Sequence, residues 1–516
     1  MLLLTLYFIP LGLFWFCRTV KIVLFYIYLW QLKEYHIGRF LDHFRTEKGW
    51  RLFLNPLKIF KIALVAGPFI FPIFFPLVLG VSYLGELLLF CRDISRKTLK
   101  RPVLTLKTIL LLTSSVSLAI LAPVFLYFYF KQNLVRFAFG LLIIDVLTPV
   151  LVSLFVLLFQ PITVLARNRI IGMARLKRES FKDLLVVGIT GSYGKTSTKE
   201  FLYTILASKF GDKVLKTKEH QNSEIGISRC ILNELSPEHE IFICEMGAYN
   251  KGGIKLLCDI VKPKIGILTG INEQHMATFG SQENIVKTKY ELIEALPADG
   301  VAFFNAKNKY CVELYEKTLR RGSRQAFLYG GGVQLAGLEN IEGAKAVARE
   351  IGLPAGRQGM SEEEINKACE KIDNKFGGIE IKNGINGLKI VDAIYSANPD
   401  SVIAHLEYLK TLPGQKVLVM PCLIELGKAS KEVHRRIGAK IGEICDLAII
   451  TTKDRFEEIK AAFAEASASR RNAEVVFMEN PREIFEKIKE FCKEGDIVFL
   501  ESGVPVIKLL SNWLRD

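Results

Sequence analysis

Leu184-Leu-Val-Val-Gly-Ile-Thr190 runs directly into Gly191-Ser-Tyr-Gly-Lys-Thr-Ser197. The first seven residues are apolar and rich in β-branched side chains, a run of strand length. Beyond the glycine loop, Thr198–Phe210 carries apolar residues at Phe201, Leu202, Ile205 and Leu206, the spacing of a helix. Strand, glycine loop and helix in this order is the setting in which such a loop cradles phosphate. The glycines let successive N–H groups turn toward phosphate oxygens, and the helix N-terminus adds positive potential. On this reading Gly191, Ser192, Tyr193, Gly194, Lys195, Thr196 and Ser197 bind the phosphates of ATP. Lys195 reaches the β/γ-phosphates and the Thr196 hydroxyl coordinates Mg²⁺. The usual form of this loop has a glycine where this chain has Ile189.

Upstream of the loop the chain changes character. The formal charge is +15, and residues 1–187 hold 23 Lys and Arg against 8 Asp and Glu, so the remainder is balanced. The high isoelectric point therefore does not describe a nucleic-acid-binding enzyme. It describes basic residues flanking apolar segments, as on the cytoplasmic side of a membrane protein. The apolar stretches are Leu2–Trp30, Ile62–Phe90, Thr108–Phe130 and Phe137–Phe159. The last two lack Lys and Arg and exceed the ~20 residues that a spanning helix needs. Arg18 and Lys21 interrupt the first, and no small-residue cleavage site follows it, so a cleaved signal peptide is not expected.

The second stretch contains Pro68, Pro72 and Pro76, which strain a straight helix. It is either one kinked span or a re-entrant hairpin that turns near the prolines. An ATP-using domain faces the cytoplasm, which puts Arg167–Lys182 inside and, counting back, Arg92–Lys107 inside as well. The loop Gln31–Lys61, with Lys33, Arg39, Arg45, Lys48, Arg51, Lys58 and Lys61, is also inside only if the hairpin forms. Asp145, in the middle of the fourth stretch, is either a functional carboxylate in lipid or a helix–helix hydrogen-bonding group. The ten cysteines form no CxxC pair, which suits buried free thiols in a reducing compartment.

Downstream, apolar strand-like runs recur at Ile241–Ala248, Pro263–Thr269, Val301–Asn305 and Leu388–Asp392. A Gly-Ser/Thr-x-Gly-Lys-Thr/Ser loop without the first glycine resembles that of the Mur ligase family, which forms amide bonds through an acyl phosphate. Ile241-Phe-Ile-Cys-Glu-Met-Gly-Ala248 resembles the Glu-Met/Leu-Gly-Ala motif of the branch that adds D-alanyl-D-alanine to UDP-N-acetylmuramoyl-tripeptide. The resemblance makes Glu245 a Mg²⁺ ligand, and carboxylate oxygens suit such a hard cation. Gly270-Ile-Asn-Glu-Gln-His275, followed by Phe279-Gly-Ser281, is similar to the family's Asn-x-x-x-x-His segment; His275 takes the metal-site position and Gly270 stands where the Asn is expected.

In Lys287-Thr-Lys289-Tyr-Glu291, Lys289 matches the lysine that the family carbamylates with CO₂ to hold a second Mg²⁺. Asn305 resembles the adenine-contacting Asn, and Asn222 lies in a segment similar to a substrate-side loop. Asp392-Ala-Ile-Tyr-Ser-Ala-Asn398-Pro-Asp-Ser401 looks like the stretch that meets the ATP ribose and phosphates on domain closure, implicating Asp392 and Asn398. Glu425-Leu-Gly427 and His434 resemble the Glu-Leu-Gly…His stretch, with Pro421-Cys422 in place of Gly-Asp. The Gly-Arg expected before the Asp392 strand reads Gly377-Gly378. Pro354–Gly359 is a turn-rich insert without a functional reading.

The resemblance extends from Leu184 to the C-terminus, about two-thirds of the chain. With the apolar stretches upstream, the expected architecture is an N-terminal α-helical membrane domain (1–165), followed by the two α/β domains that the resemblance implies: a P-loop central ATPase domain (180–345) and a Rossmann-like C-terminal domain (375–516). The membrane segment stands where the family has its uridine-nucleotide domain. The implied catalytic set is Lys195, Glu245, His275 and Lys289, with ATP and Mg²⁺ as cofactors and Thr196, Glu245, His275 and carbamylated Lys289 as metal ligands. The implied partners are a carboxylate-bearing cell-wall precursor, an amino acid or dipeptide, and membrane lipid, without nucleic acid. This places the catalytic domains on the cytoplasmic face of a multi-pass inner-membrane protein. A membrane-tethered poly-amino-acid synthase and a non-catalytic ATP-binding membrane protein are the alternative readings.

Overall fold

The structure is a computed structural model. It describes all residues except 1, 45, 53–54, 131–132, 220, 323–324, 333–337, 353–358, 373–379, 394–396, 471 and 516, and the side chains of 2–6, 47 and 48. The Gly377-Gly378 pair, most of the 354–359 insert and the start of the C-terminal domain at 375 fall outside the described residues. The chain forms two compact units, residues 1–167 and 168–516.

Among the described residues, four helices are long and apolar enough to cross a membrane: Tyr7–Leu32, Phe75–Ser95 and Leu106–Tyr129 in the first unit, and Leu134–Glu179, which begins there and runs past residue 167. They pack around Trp15, Phe75, Leu79, Tyr83, Leu141 and Leu142. Phe69, Ile73, Leu106, Phe128 and Leu165 point outward. Helices apolar all round are buried in a large core or in lipid.

The second apolar stretch is not one helix. It breaks into a helix Pro56–Ala63, a 3₁₀ turn Leu64–Ala66, a short helix Gly67–Ile70 and the long helix Phe75–Ser95. Pro68 and Pro76 sit in the first turns of their helices, where a missing N–H costs nothing, and Pro72 lies in the gap between them. The arm folds back, because Lys61 is hydrogen-bonded to Glu86. Along a straight helix the two would stand ~37 Å apart.

The second unit contains two six-stranded sheets. The first runs β2-β3-β1-β4-β5-β6, all parallel, from β1 (Leu185–Thr190), β2 (Val214–Lys216), β3 (Ile241–Glu245), β4 (Ile265–Leu268), β5 (Val301–Asn305) and β6 (Gln325–Tyr329). Val187 in β1 registers with Ile243 in β3 and Ile265 in β4. Parallel strands need helical crossovers, so helices cover both faces and the strands read as unbroken apolar runs. Two separate clusters result, one around Phe242, Phe304 and Leu292, the other around Phe201, Phe303 and Val347.

The second sheet runs β11-β10-β9-β12-β8-β7, from β7 (Glu380–Asn383), β8 (Lys389–Ala393), β9 (Lys416–Met420), β10 (Leu447–Ile450), β11 (Glu474–Phe477) and β12 (Ile497–Glu501). Only β7 is antiparallel, an edge strand paired to β8.

The helix Gln160–Glu179 ends inside this second unit. Ile171 and Ala174 join its core, and Arg178 donates to the carbonyls of Val261 (2.8 Å), Phe181 (2.8 Å) and Leu184 (3.2 Å).

Candidate active site

The three strand ends that carry the site are tied together by main chain and hydroxyls. Thr190 Oγ1 donates to Met246 O (2.9 Å), and Thr269 N donates to Thr190 O (3.0 Å). Ile189 is fully buried in β1, registered between Glu245 and Ile267. The strand thus continues through the position where the usual loop already opens. Two glycines are sterically required: a Cβ at Gly191 would lie 2.2 Å from Thr269 Oγ1, and one at Gly194, whose φ is +76°, 2.4 Å from Asn340 Oδ1. The helix Lys195–Phe210 starts at Gly194, its N-terminus directed at the loop.

Glu245, at the end of β3, gathers the groups around it. Its Oε2 accepts from Thr196 Oγ1 (2.9 Å) and lies 3.3 Å from Lys199 Nζ; its Oε1 accepts from Asn222 Nδ2 (3.1 Å). Burial pushes this carboxyl up, but Lys195 and Lys199, with the Asn222 and Thr196 hydrogen bonds, outweigh it and hold it below the usual range. Lys199, completely buried, also lies 3.3 Å from Glu200. Sequence reading passed over Lys199; its only signal is the i+4 spacing from Lys195, which puts both amines on one helix face. Asn222, expected on the substrate side, touches the Glu245 carboxylate. Lys195 Nζ donates to the carbonyls of Gly191 (2.9 Å) and Ser192 (3.2 Å) of its own loop.

Lys289 lies on the helix Gln282–Glu294 and is buried. Burial first, and then the Lys195 cation, lower its pKa to about 7. Such an amine is substantially neutral at physiological pH, as addition to CO₂ requires. Its neighbour Glu291 points elsewhere: the carboxylate accepts from Gly252 N (2.8 Å) and Lys255 N (2.9 Å), capping the helix Gly253–Val261. His275 follows β4 in a left-handed turn, φ +64°. Burial lowers its pKa, with Glu425 opposing, and the edge of Tyr249 packs on the ring at 4.9 Å.

The glycine at 270 has a steric cause. The Tyr193 ring covers it, and a Cβ there would lie 2.3 Å from Tyr193 Cζ. Tyr193 OH accepts from Asn308 Nδ2 (3.3 Å). Asn272 donates to Asn398 Oδ1 (2.8 Å), joining the two sheets' domains. Two other expected nucleotide contacts are engaged within the protein. Asn305 donates to Thr269 O (2.8 Å) and accepts from Lys307 N (2.9 Å). The Asp392 Oδ2 accepts from Ser511 Oγ (2.6 Å) and Lys382 Nζ (2.9 Å) in its own domain. His434 is fully buried and structural, accepting from Leu423 N at Nε2 (2.9 Å).

Residues 189–346 match the Mur ligase middle domain and residues 379–502 match the Mur ligase glutamate ligase domain, together more than half of the chain. The UDP-N-acetylmuramoyl-tripeptide–D-alanyl-D-alanine ligase of Synechocystis sp. is 30% identical over 274 residues, 50% of this chain and 59% of that protein. The Bacillus subtilis enzyme of the same name is 26% identical over 364 residues, 66% of this chain and 78% of its own. The chain thus spans little more than half the length of the first of these relatives. The crystal structure of MurF ligase from Thermotoga maritima in complex with ADP superposes with a TM-score of 0.55 at 25% identity, covering 67% of this chain and 83% of that one. MurF from Acinetobacter baumannii shares the fold, with a TM-score of 0.57 at 23% identity, covering 67% of this chain and 80% of that one. Through its middle and C-terminal domains, the chain belongs to the Mur ligase family.

Proposed function

We propose that the chain is a membrane-anchored, ATP-dependent ligase that activates a carboxylate as an acyl phosphate and joins an amino acid or dipeptide to it. The observation that carries this reading is the convergence of Thr196, Asn222 and Lys199 on Glu245 beside the phosphate loop of a Mur ligase middle domain. A substrate carboxylate oxygen attacks the γ-phosphorus as the bond to the β-phosphate oxygen breaks, and ADP leaves. The amine nitrogen of the second substrate then attacks the acyl carbon; phosphate departs, and the nitrogen loses its proton. Lys195 and the helix N-terminus neutralise charge that builds on the phosphates.

Mg²⁺ fits this site. The Thr196 hydroxyl and the Glu245 carboxylate, hard oxygen donors 2.9 Å apart, would hold the ion. When bound it supplies a Lewis acid for the γ-phosphate. A carbamate on Lys289 would add a further hard oxygen donor to Thr196 and Glu245. His275 and Lys289 serve the same centre.

The relatives' names support an acceptor of the muramoyl-tripeptide class and D-alanyl-D-alanine as the added group, in peptidoglycan precursor assembly. The four apolar helices support catalysis at the inner face of a membrane, with lipid as a partner and Gln31–Lys61 on the same face. The test uses the full chain in detergent, screened against pairs of carboxylates and amines for release of phosphate. ADP and phosphate are expected only when both substrates are present, and Lys195→Ala should abolish release. Release that ignores the substrates, or that survives in Lys195→Ala, rejects the reading.

A further inference from the structure

The imidazole of His275 is held by a residue from the other sheet's domain. Its Nδ1 lies 2.6 Å from Glu425 Oε2. Glu425 stands on the loop that leaves β9, 150 residues away in sequence. An ionised carboxylate only accepts hydrogen bonds, so the proton of the pair sits on Nδ1 and leaves the Nε2 lone pair available for a ligand. Main chain places the carboxylate. Glu425 adopts φ +64°, and its carbonyl accepts from Ala277 N (3.1 Å), two residues beyond His275. Gly427 packs so closely that a Cβ would lie 3.0 Å from Ala277 N. Close by, Arg436 NH1 reaches Glu273 Oε1 (3.3 Å) and Asn272 reaches Asn398 (2.8 Å).

The geometry points to Glu425 as a positioning residue that orients His275 for metal only when the two domains are docked. This rests on the reading of His275 as a Mg²⁺-site residue. A metal-bound histidine ordinarily gives its second ring N–H to a carboxylate, which fixes tautomer and orientation, and loss of that partner weakens the metal about 10–100-fold. Here the partner arrives from a separate domain on a loop with its own main-chain contact. Metal occupancy and docking are therefore linked, and by reciprocity metal binding favours the docked arrangement.

The test is Mn²⁺ binding to the full chain in detergent with a non-hydrolysable ATP analogue, followed by electron paramagnetic resonance of the free ion. Hydrogen exchange over Met276–Phe279 and Gly427–Ala429 is measured alongside. Glu425→Ala should weaken Mn²⁺ by about 10–100-fold. Glu425→Gln, whose amide oxygen still accepts from Nδ1–H and which preserves the side-chain shape, should lose less. Mn²⁺ should slow exchange in both segments of the wild type and leave Gly427–Ala429 unchanged in Glu425→Ala. If His275→Ala weakens Mn²⁺ and Glu425→Ala does not, the positioning role is overturned and the metal reading stands. If neither variant weakens it, the reading of His275 as a metal-site residue fails first. Exchange that Mn²⁺ does not alter in the wild type overturns the link to docking.

Discussion

Lys61 Nζ lies 2.6 Å from Asp145 Oδ2, with both side chains 2% exposed. The same amine is bonded to Glu86, which Arg18 Nε also reaches at 2.6 Å. Two cations and two carboxylates from three long helices and the folded-back arm thus form a neutral cluster inside an apolar bundle. Buried ions cost several kcal/mol each unless paired, so such a cluster holds only when complete.

Lys61→Met should therefore leave Asp145 unpaired and destabilise the first unit by about 3–5 kcal/mol. Adding Asp145→Asn should recover a large part of that, because the uncompensated charge is gone. Thermal unfolding of the full chain in detergent measures both. A double variant no more stable than the single one would show that the pair does not act through charge.

On the proposed membrane reading, the folded-back arm keeps the basic loop Gln31–Lys61 inside. Leu41, exposed on the helix Ile37–His43, reports the loop that a hairpin keeps inside. In a background without reagent-accessible native thiols, Leu41→Cys should resist an impermeant maleimide in intact cells and react after lysis. Labelling of intact cells would place the loop outside and reject the hairpin topology.

Tyr193 and Gly270 form a matched pair. Gly270→Asn should displace the Tyr193 ring and its Asn308 hydrogen bond, at a cost of about 1–3 kcal/mol. Combined with Tyr193→Ser, the same substitution should cost less than the sum of the two single changes. Chemical denaturation of the four proteins decides the matter; strict additivity would mean that the ring does not dictate the glycine.

The Lys289 amine, with its pKa near 7, should take up CO₂ more readily as pH rises through that value. The sign follows from protonation: below about pH 7 the ammonium has no lone pair to add to carbon. With ¹³C-bicarbonate, a carbamate resonance should be strong at pH 8, weak at pH 6 and absent in Lys289→Arg. A resonance that persists in Lys289→Arg belongs to another amine.

Sequence alone determined whatever depends on neighbours along the chain. The loop Gly191–Ser197 between its strand and helix, the apolar spans and the strands β1, β3, β4, β5 and β8 are all written in local periodicity. β2, with three residues, and β7, a polar edge strand, bury too little to leave such a trace. Ile189 looked like a defect in the loop; the fold makes it a core residue of β1. Tertiary structure alone decided the partners. Lys61 finds Asp145 84 residues away, and His275 finds Glu425 across 150. It also turned Glu291 into a helix cap and Asp392 toward Ser511. Hydrogen bonds and ion pairs act over a few ångströms, and which groups come that close depends on how distant segments pack, which residue spacing does not encode.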